Sequence, residues 1–243
     1  FALYAELRKT SPAPFMALIR LGGADVISAS PERFLRRRGS AIETRPIKGT
    51  RPRSSDPAED AGLAEELTRS EKDRAENIMI VDLLRNDLSH FAEPGSVTVS
   101  RLCEIESYAT VHQLVSTIDA QLLPGAPRAE AVAACFPAGS MTGAPKISTM
   151  AILDRLEEVP RGVYSGAIGY FSLNGATDLA VAIRTLVIQT RDVPGSATAT
   201  LSLGVGGAIT ADSVPQDEYE EIRTKAFGVL STLGSEFPAR TDS

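Results

Sequence analysis

Apolar and polar positions along the chain change period several times, and each change marks an element. Residues 2–10 place apolar side chains on one face at helical spacing, and 11-SPAPF-15 ends that helix. The stretches 15-FMALIRL-21 and 26-VISAS-30 read as strands joined at 22-GGAD-25, a hairpin turn signal. Two shorter strands, 34–38 and 41–45, turn at Gly39-Ser40 and lead into a Pro/Gly loop, 45-RPIKGTRPR-53. From Asp56 to about Phe91 the period becomes helical, opened by the capping sequence 55-SDPAED-60. Strands at 97–105 and 110–120 follow, then a helix near 128–136. The Gly/Pro-rich loop 137-PAGSMTGAPK-146 opens a helix over 145–158, with Pro145 in its first turn.

The last third is rich in β-formers: 163-VYSGAIGYFSL-173, 178-DLAVAIRTLVIQT-190 and 197-ATATLSLGVG-206. Turns fall at 173-LNGA-176 and 192-DVPGS-196, and a closing helix spans 215–233. Antiparallel strands punctuated by long helices predict an α+β fold, with mainly antiparallel sheets packed on each other and flanked by helices. No repeat, low-complexity tract or linker divides the chain, so residues 1–243 are read as one domain. Because the sequence opens on Phe1 and runs straight into a helix, that domain is expected to be the carboxy-terminal part of a longer subunit.

Composition narrows the classes. The chain has 243 residues, 43% of them hydrophobic, enough for a core without staples. A net charge of −6 argues against a general nucleic-acid binder, and 36-RRR-38 reads as a solvated hairpin end. No apolar run approaches a membrane span and no signal peptide is visible. Cys103 and Cys135 sit in apolar stretches and read as free buried thiols, which favours a reducing cytoplasm.

Three constellations carry candidate chemistry. Lys48 stands among Arg45, Arg51 and Arg53 in a loop shaped by Pro46 and Gly49. A free lysine amine, with a pKa of ~10.4, is almost wholly protonated at neutral pH. Desolvation or neighbouring cations make such an amine nucleophilic; in open water it is an ordinary solvated charge. In 73-DRAENIMIVDLLRNDL-88, Asp73 and Glu76 share a helix face, and Glu218 and Glu221 repeat that spacing in 218-EYEEIRTKA-226. Either helix alone reads as surface charge, with Glu221–Lys225 a plain i,i+4 pair; together they offer four carboxylates to a hard cation such as Mg²⁺. Anion recognition is the third: 204-GVGG-207 and 139-GSMTG-143 expose backbone N–H groups, and Arg184 lies in an apolar run where it needs a partner. Each glycine stretch reads equally as a turn. His112 has no second histidine in ligand spacing, and Ser140 lacks a nucleophile-elbow setting, so neither a zinc site nor a serine hydrolase is indicated.

In order along the chain, 30-SPERF-34, 45-RPIKGTRPR-53, 73-DRAENIMIVDLLRNDL-88, 112-HQLVS-116, 139-GSMTGAPK-146, 165-SGAIGY-170, 183-IRT-185 and 206-GGAITADSVPQDEYEE-221 resemble the chorismate-utilising synthases. The loop lysine resembles the aminodeoxychorismate synthase branch, where relatives of the anthranilate and isochorismate branches usually carry alanine. The resemblance implies that Lys48 adds to ring carbon 2 of chorismate while Glu32 protonates the departing 4-hydroxyl. Ammonia then displaces Lys48 by attack at carbon 4. It further implies Mg²⁺ held by Glu76 and Glu221 with support from Asp73 and Glu218. Arg184, Tyr164 and the backbone of Gly206 and Gly207 would meet the enolpyruvyl carboxylate. Gly49, Thr50, His112, Ser140 and Lys225 are the remaining implied substrate-site residues, along with Ala208, which stands where the family has a third glycine. Nothing resembles a glutaminase, so a separate glutamine amidotransferase subunit is the implied ammonia source, and p-aminobenzoate and folate or a p-aminophenylalanine-type antibiotic the implied destination. An anthranilate synthase component with an atypical lysine, and a non-catalytic homologue that binds the amidotransferase, are the alternatives.

Overall fold

The computed structural model describes residues 1–193, 196–211 and 213–238. Helix α1 (Ala2–Thr10) is followed by strands β1 (Phe15–Leu21) and β2 (Ala24–Ser30), an antiparallel hairpin with Leu21 opposite Ala24. A second hairpin, β3 (Arg33–Arg38) and β4 (Ala41–Arg45), turns at Gly39-Ser40. The three arginines at its tip are not all solvated: Arg36 pairs with Glu43 at 2.6 Å, and Arg37 donates to the carbonyls of Gly39 and Ala126.

The segment expected to be a loop around Lys48 is largely a strand, β5 (Ile47–Pro52). Its Pro52 is tolerated because β5 lies at a sheet margin, where a missing N–H on the open side costs no ladder bond. The helical stretch that follows is two helices, α2 (Pro57–Arg69) and α3 (Glu71–Ser89). Asp56 caps the first through the N–H groups of Ala58 and Glu59; Ser70, with extended backbone, ends it and caps the second at Asp73. Next come β6 (Thr98–Ser107), β7 (Val111–Gln121), α4 (Arg128–Cys135), a short 3₁₀ turn (Gly139–Met141) and α5 (Lys146–Leu156), for which Pro145 is the N-cap.

The β-rich last third resolves into β8 (Ala167–Phe171), β9 (Thr177–Val181), β10 (Thr185–Val193) and β11 (Ser196–Leu203), before α6 (Pro215–Thr232). The run 178–190, read as one strand, is two strands in different sheets. The break falls at 182–184, and Arg184 takes φ +49, a left-handed backbone outside the extended region of regular strands. Ala182 is as buried as the strand residues before it, so the hydrophobic run hides the switch. The predicted turn at 192-DVPGS-196 has Pro194 and Gly195 outside the described residues.

By its internal packing the chain forms two compact units. No linker is visible because the passages fall inside motifs: after Pro31, Pro160, Tyr164 and Val181. The first unit holds a four-stranded sheet ordered β1-β2-β10-β11, and α1 and α6 pack on each other. Leu7, Ile27, Ala29, Leu186 and Val229 form its core. The second holds a seven-stranded sheet ordered β5-β7-β4-β3-β9-β8, with β6 also paired to β7, and α2 and α3 laid against β5, β6 and β7. Leu67 of α2, Cys103 of β6 and Leu114 of β7 pack together there, each leucine contributing roughly 1.5–3 kcal/mol by leaving water. Both sheets are antiparallel throughout their described pairings, as expected for α+β. Both cysteines are free and buried, and among the described residues no helix is long and apolar enough to cross a membrane.

Candidate active site

In the seven-stranded unit, β5 and β7 pair at Ile47↔Val115 and again at Thr50↔Gln113, so β5 carries one residue more than its partner. That extra residue is a β-bulge, and Lys48 and Gly49 are in it. Gly49 has φ +82, and a Cβ there would lie 2.7 Å from both Asp73 Cγ and Leu67 Cδ1. Only glycine lets β5 approach α3 this closely. Lys48 is thereby aimed at α3: its Nζ lies 3.8 Å from Glu76 Oε2, with the two side chains 14% and 10% exposed. The amine is therefore largely withdrawn from water. The arginines beside it in sequence are engaged elsewhere. Arg45 pairs with Glu106, Arg51 with Glu66 at 2.8 Å and Asp73 at 3.4 Å, and Arg53 with Asp60 at 2.8 Å.

Helix α3 brings the carboxylates. Asp73 and Glu76 are one turn apart, Asp73 towards Arg51 and Glu76 towards Lys48. Their position on the sheet is fixed by Asn77, which is wholly buried. Its Nδ2 donates to the Leu114 carbonyl at 3.3 Å, and its Oδ1 accepts from Ser116 Oγ at 2.5 Å. Ser116 Oγ also accepts the Cys103 N–H at 2.9 Å. Sequence reasoning missed Asn77; the signal was an amide at the head of the apolar stripe Ile80, Val81, Leu84 and Leu88.

His112 lies on β7, buried, its Nδ1 2.8 Å from Ser107 Oγ and its Nε2 3.0 Å from Asp60 Oδ1. Both ring nitrogens are occupied by the protein, the arrangement of a held core histidine. Asp60 is in turn gripped by Arg53 and the Ser54 N–H, which together with His112 hold its carboxyl well below the usual 3.8 against a smaller opposing effect of burial. A carboxyl depressed in the folded state contributes stability that is complete above 3.8 and is lost as pH falls through the folded value. Asp60→Asn should therefore melt lower than the parent at pH 7, with the gap closing as pH is lowered beneath the ordinary carboxylate range. Thermal melts across pH check this, and a gap that stays constant overturns it.

Glu32 immediately precedes β3 and is 6% exposed. Ser140, in the 3₁₀ turn, donates to its Oε1 at 2.7 Å. Thr50 is exposed on β5, and across from it Gln113 keeps a buried Oε1 with no partner among the described residues.

The four-stranded unit carries the other predicted residues. Tyr164 lies against the backbone after β11: a Cβ on Gly204 would sit 2.3 Å from the ring, and one on Gly206 would sit 2.6 Å from the hydroxyl oxygen. Arg184 is half-buried, and its carbonyl accepts the Ala29 N–H. Ala208 is absent from the positive-φ residues, so the methyl that replaces a glycine hydrogen meets no backbone strain. Glu218, 3% exposed, accepts from Ser213 Oγ at 2.8 Å, and its Oε2 would be 3.1 Å from a Cβ on Gly207. Lys225 Nζ reaches the Gly206 carbonyl at 3.2 Å and Glu221 Oε1 at 2.5 Å, with Glu221 45% exposed.

The structure thus groups Lys48, Gly49, Asp73 and Glu76, pairs Glu32 with Ser140, and groups Tyr164, Gly206 and Lys225 with Glu221. Asp73 and Glu76 belong to one unit, Glu218 and Glu221 to the other. Among the described residues no set of three or more His, Cys, Asp or Glu side chains is gathered as a metal-binding group.

The family model described as chorismate binding enzyme matches residues 1–231. The chain belongs to the chorismate binding enzymes. Among family members, an aminodeoxychorismate synthase of Streptomyces griseus is 55% identical over 99% of this chain, which covers 32% of that protein. Anthranilate synthase component 1 of Streptomyces coelicolor is 44% identical over 95% of the chain and 44% of its own length. The chain thus spans a third to under half of these chorismate enzymes. Among solved structures of the family, anthranilate synthase component I from Streptococcus pneumoniae aligns with a TM-score of 0.76 at 35% identity, over 93% of this chain and 48% of that one.

Proposed function

We propose that the chain is the chorismate-aminating part of an aminodeoxychorismate synthase. The observation that carries this is Lys48: a primary amine, nearly dry, held in a glycine-dependent bulge beside a carboxylate. It belongs to a chain more similar to the aminodeoxychorismate synthase cited above than to either anthranilate synthase.

The chemistry follows from that amine. In its neutral form, the Lys48 nitrogen forms a bond to ring carbon 2 of chorismate as the ring double bonds shift and the carbon 4–oxygen bond breaks. Glu32 supplies the proton with which the hydroxyl leaves as water, and Ser140 orients that carboxyl. Ammonia then bonds to carbon 4 and the Lys48 nitrogen departs with its electron pair restored. The net change is chorismate plus ammonia to 4-amino-4-deoxychorismate plus water. One difficult substitution is divided into two easier ones. Tyr164, Arg184 and the backbone of Gly206 and Gly207 would bind the enolpyruvyl carboxylate, with Gly49, Thr50, His112, Ala208 and Lys225 shaping the rest of the site.

The acidic helix positions suit Mg²⁺ in donor chemistry, being hard carboxylate oxygens of which that ion takes one or two. Glu76 and Glu221 would hold it with Asp73 and Glu218 in support, and the ion when bound would neutralise the ring carboxylate of the substrate. Ammonia is expected from a glutamine amidotransferase subunit, in the cytoplasm, where the two free thiols would persist, for p-aminobenzoate and folate or a p-aminophenylalanine-type product.

Incubation of the chain with chorismate, Mg²⁺ and ammonium salt should yield 4-amino-4-deoxychorismate, resolved by chromatography and converted to p-aminobenzoate only after the matching lyase is added. Fluorescent anthranilate formed without the lyase would establish the alternative amination instead. Ala208 gives no support to a non-catalytic homologue, since its backbone is ordinary.

A further inference from the structure

Lys146 closes the loop that carries Ser140, and it is used in full by the protein. Its Nζ donates to Asp87 Oδ2 at 2.6 Å and to the carbonyls of Cys135 at 3.0 Å and Pro137 at 2.9 Å. The Lys146 and Asp87 side chains are 14% and 6% exposed. One ammonium therefore ties both ends of the loop 135–146 to α3, the helix that also carries Glu76. Between those ends, Gly139 lies on Leu83 and Leu84 of α3, and Ser140 reaches Glu32.

A buried ion pair of this kind is poor evidence for stability, because desolvating both charges offsets much of their attraction. Burial pushes the Asp87 carboxyl up, and Lys146 only partly draws it back. What the pair does provide is geometry: three fixed donors set where the loop sits, and the loop sets where the Ser140 hydroxyl sits.

Resting on the reading of Glu32 as the proton donor, we propose that Lys146 and Asp87 are positioning residues that hold the Ser140 hydroxyl on the Glu32 carboxylate. Without them the loop still connects α4 to α5, but Ser140 no longer meets Glu32 at bonding distance.

The test follows the Glu32 carboxyl directly. The chain is labelled with ¹³C at glutamate side-chain carboxyls, and the Glu32 signal is assigned by its loss in Glu32→Gln. Ser140→Ala removes a donor to the charged form, so the Glu32 titration midpoint should rise. Lys146→Met should raise it in the same way, and adding Lys146→Met to Ser140→Ala should move it no further. In turnover, Lys146→Met should lower kcat about tenfold with KM within about twofold, as expected for a misplaced catalytic group. Asp87→Ala, which removes the acceptor facing Lys146, gives the same comparison should Lys146→Met not fold. A folded Lys146→Met or Asp87→Ala chain whose Glu32 titrates as in the parent overturns the proposal, as does a shift additive with that of Ser140→Ala. A parent chain that consumes no chorismate, yet shows the non-additive shifts, upholds the clamp and defeats the functional reading alone.

Discussion

Mixed with chorismate and Mg²⁺ but no ammonia, the chain gains the mass of chorismate less one water, and the Lys48→Ala chain gains nothing. Peptide mapping places the added mass on the fragment containing Lys48. In steady state with ammonium, Lys48→Ala lowers chorismate consumption by at least about a thousandfold, the scale on which enzymes lose rate when a covalent nucleophile is removed. The expectation rests on where the amine lies, 3.8 Å from Glu76 and with little exposure to solvent. Truncation at this position should leave the fold intact, because Lys48 is a polar side chain outside the core clusters described above. Full activity in Lys48→Ala, or an adduct mapped to another residue, removes the proposed chemistry altogether.

Gly49→Ala should be nearly as damaging without touching any reacting group. The position combines φ +82 with an added Cβ 2.7 Å from Leu67 Cδ1 and from Asp73 Cγ. Left-handed strain and overpacking together should cost about 3 kcal/mol, read as a lower urea midpoint and melting temperature. Either β5 withdraws from α3, carrying Lys48 away from Glu76, or α3 shifts and carries Asp73 with it. Gly22→Ala is the control, since a Cβ there meets nothing within 4 Å. Equal stability of the two variants would refute the close approach of β5 to α3.

Local chemistry made most of the fold legible. The hairpin turns at Gly22–Gly23, Gly39-Ser40 and Asn174-Gly175, and the cap at Asp56, are set by residues acting within a few positions of themselves, and the structure has each where the pattern indicates. Long-range placement was not legible. The run 178–190 is continuous in hydrophobicity because residues on both sides of the break are buried, so nothing local shows β9 ending in one sheet and β10 starting in another. At β5, Pro46, Gly49 and Pro52 gave a loop signal that strand pairing to β7 overrides at a sheet margin. At the site, the arginines around Lys48 suggested a field acting on the amine. Only the fold shows that Glu106, Glu66, Asp73 and Asp60 arrive to neutralise them. The carboxylate spacing on α3 and α6 was readable from helical period, whereas Asn77 and the Lys146–Asp87 clamp depend on which residues meet across the unit.

Among the described residues the strand that bears Lys48 pairs on one side only, with β7, and such borders invite strangers. A second molecule docking there would zip along the free backbone and bury Lys48 in an aggregate. Arg53 donates its N–H to the Thr110 carbonyl beside β7, so the neighbouring Pro52 faces the open side, where it lacks the N–H that such zipping requires. A residue that disguised this segment as a loop thus guards the flank of Lys48, and replacing Pro52 should make the chain self-associate before it loses its fold.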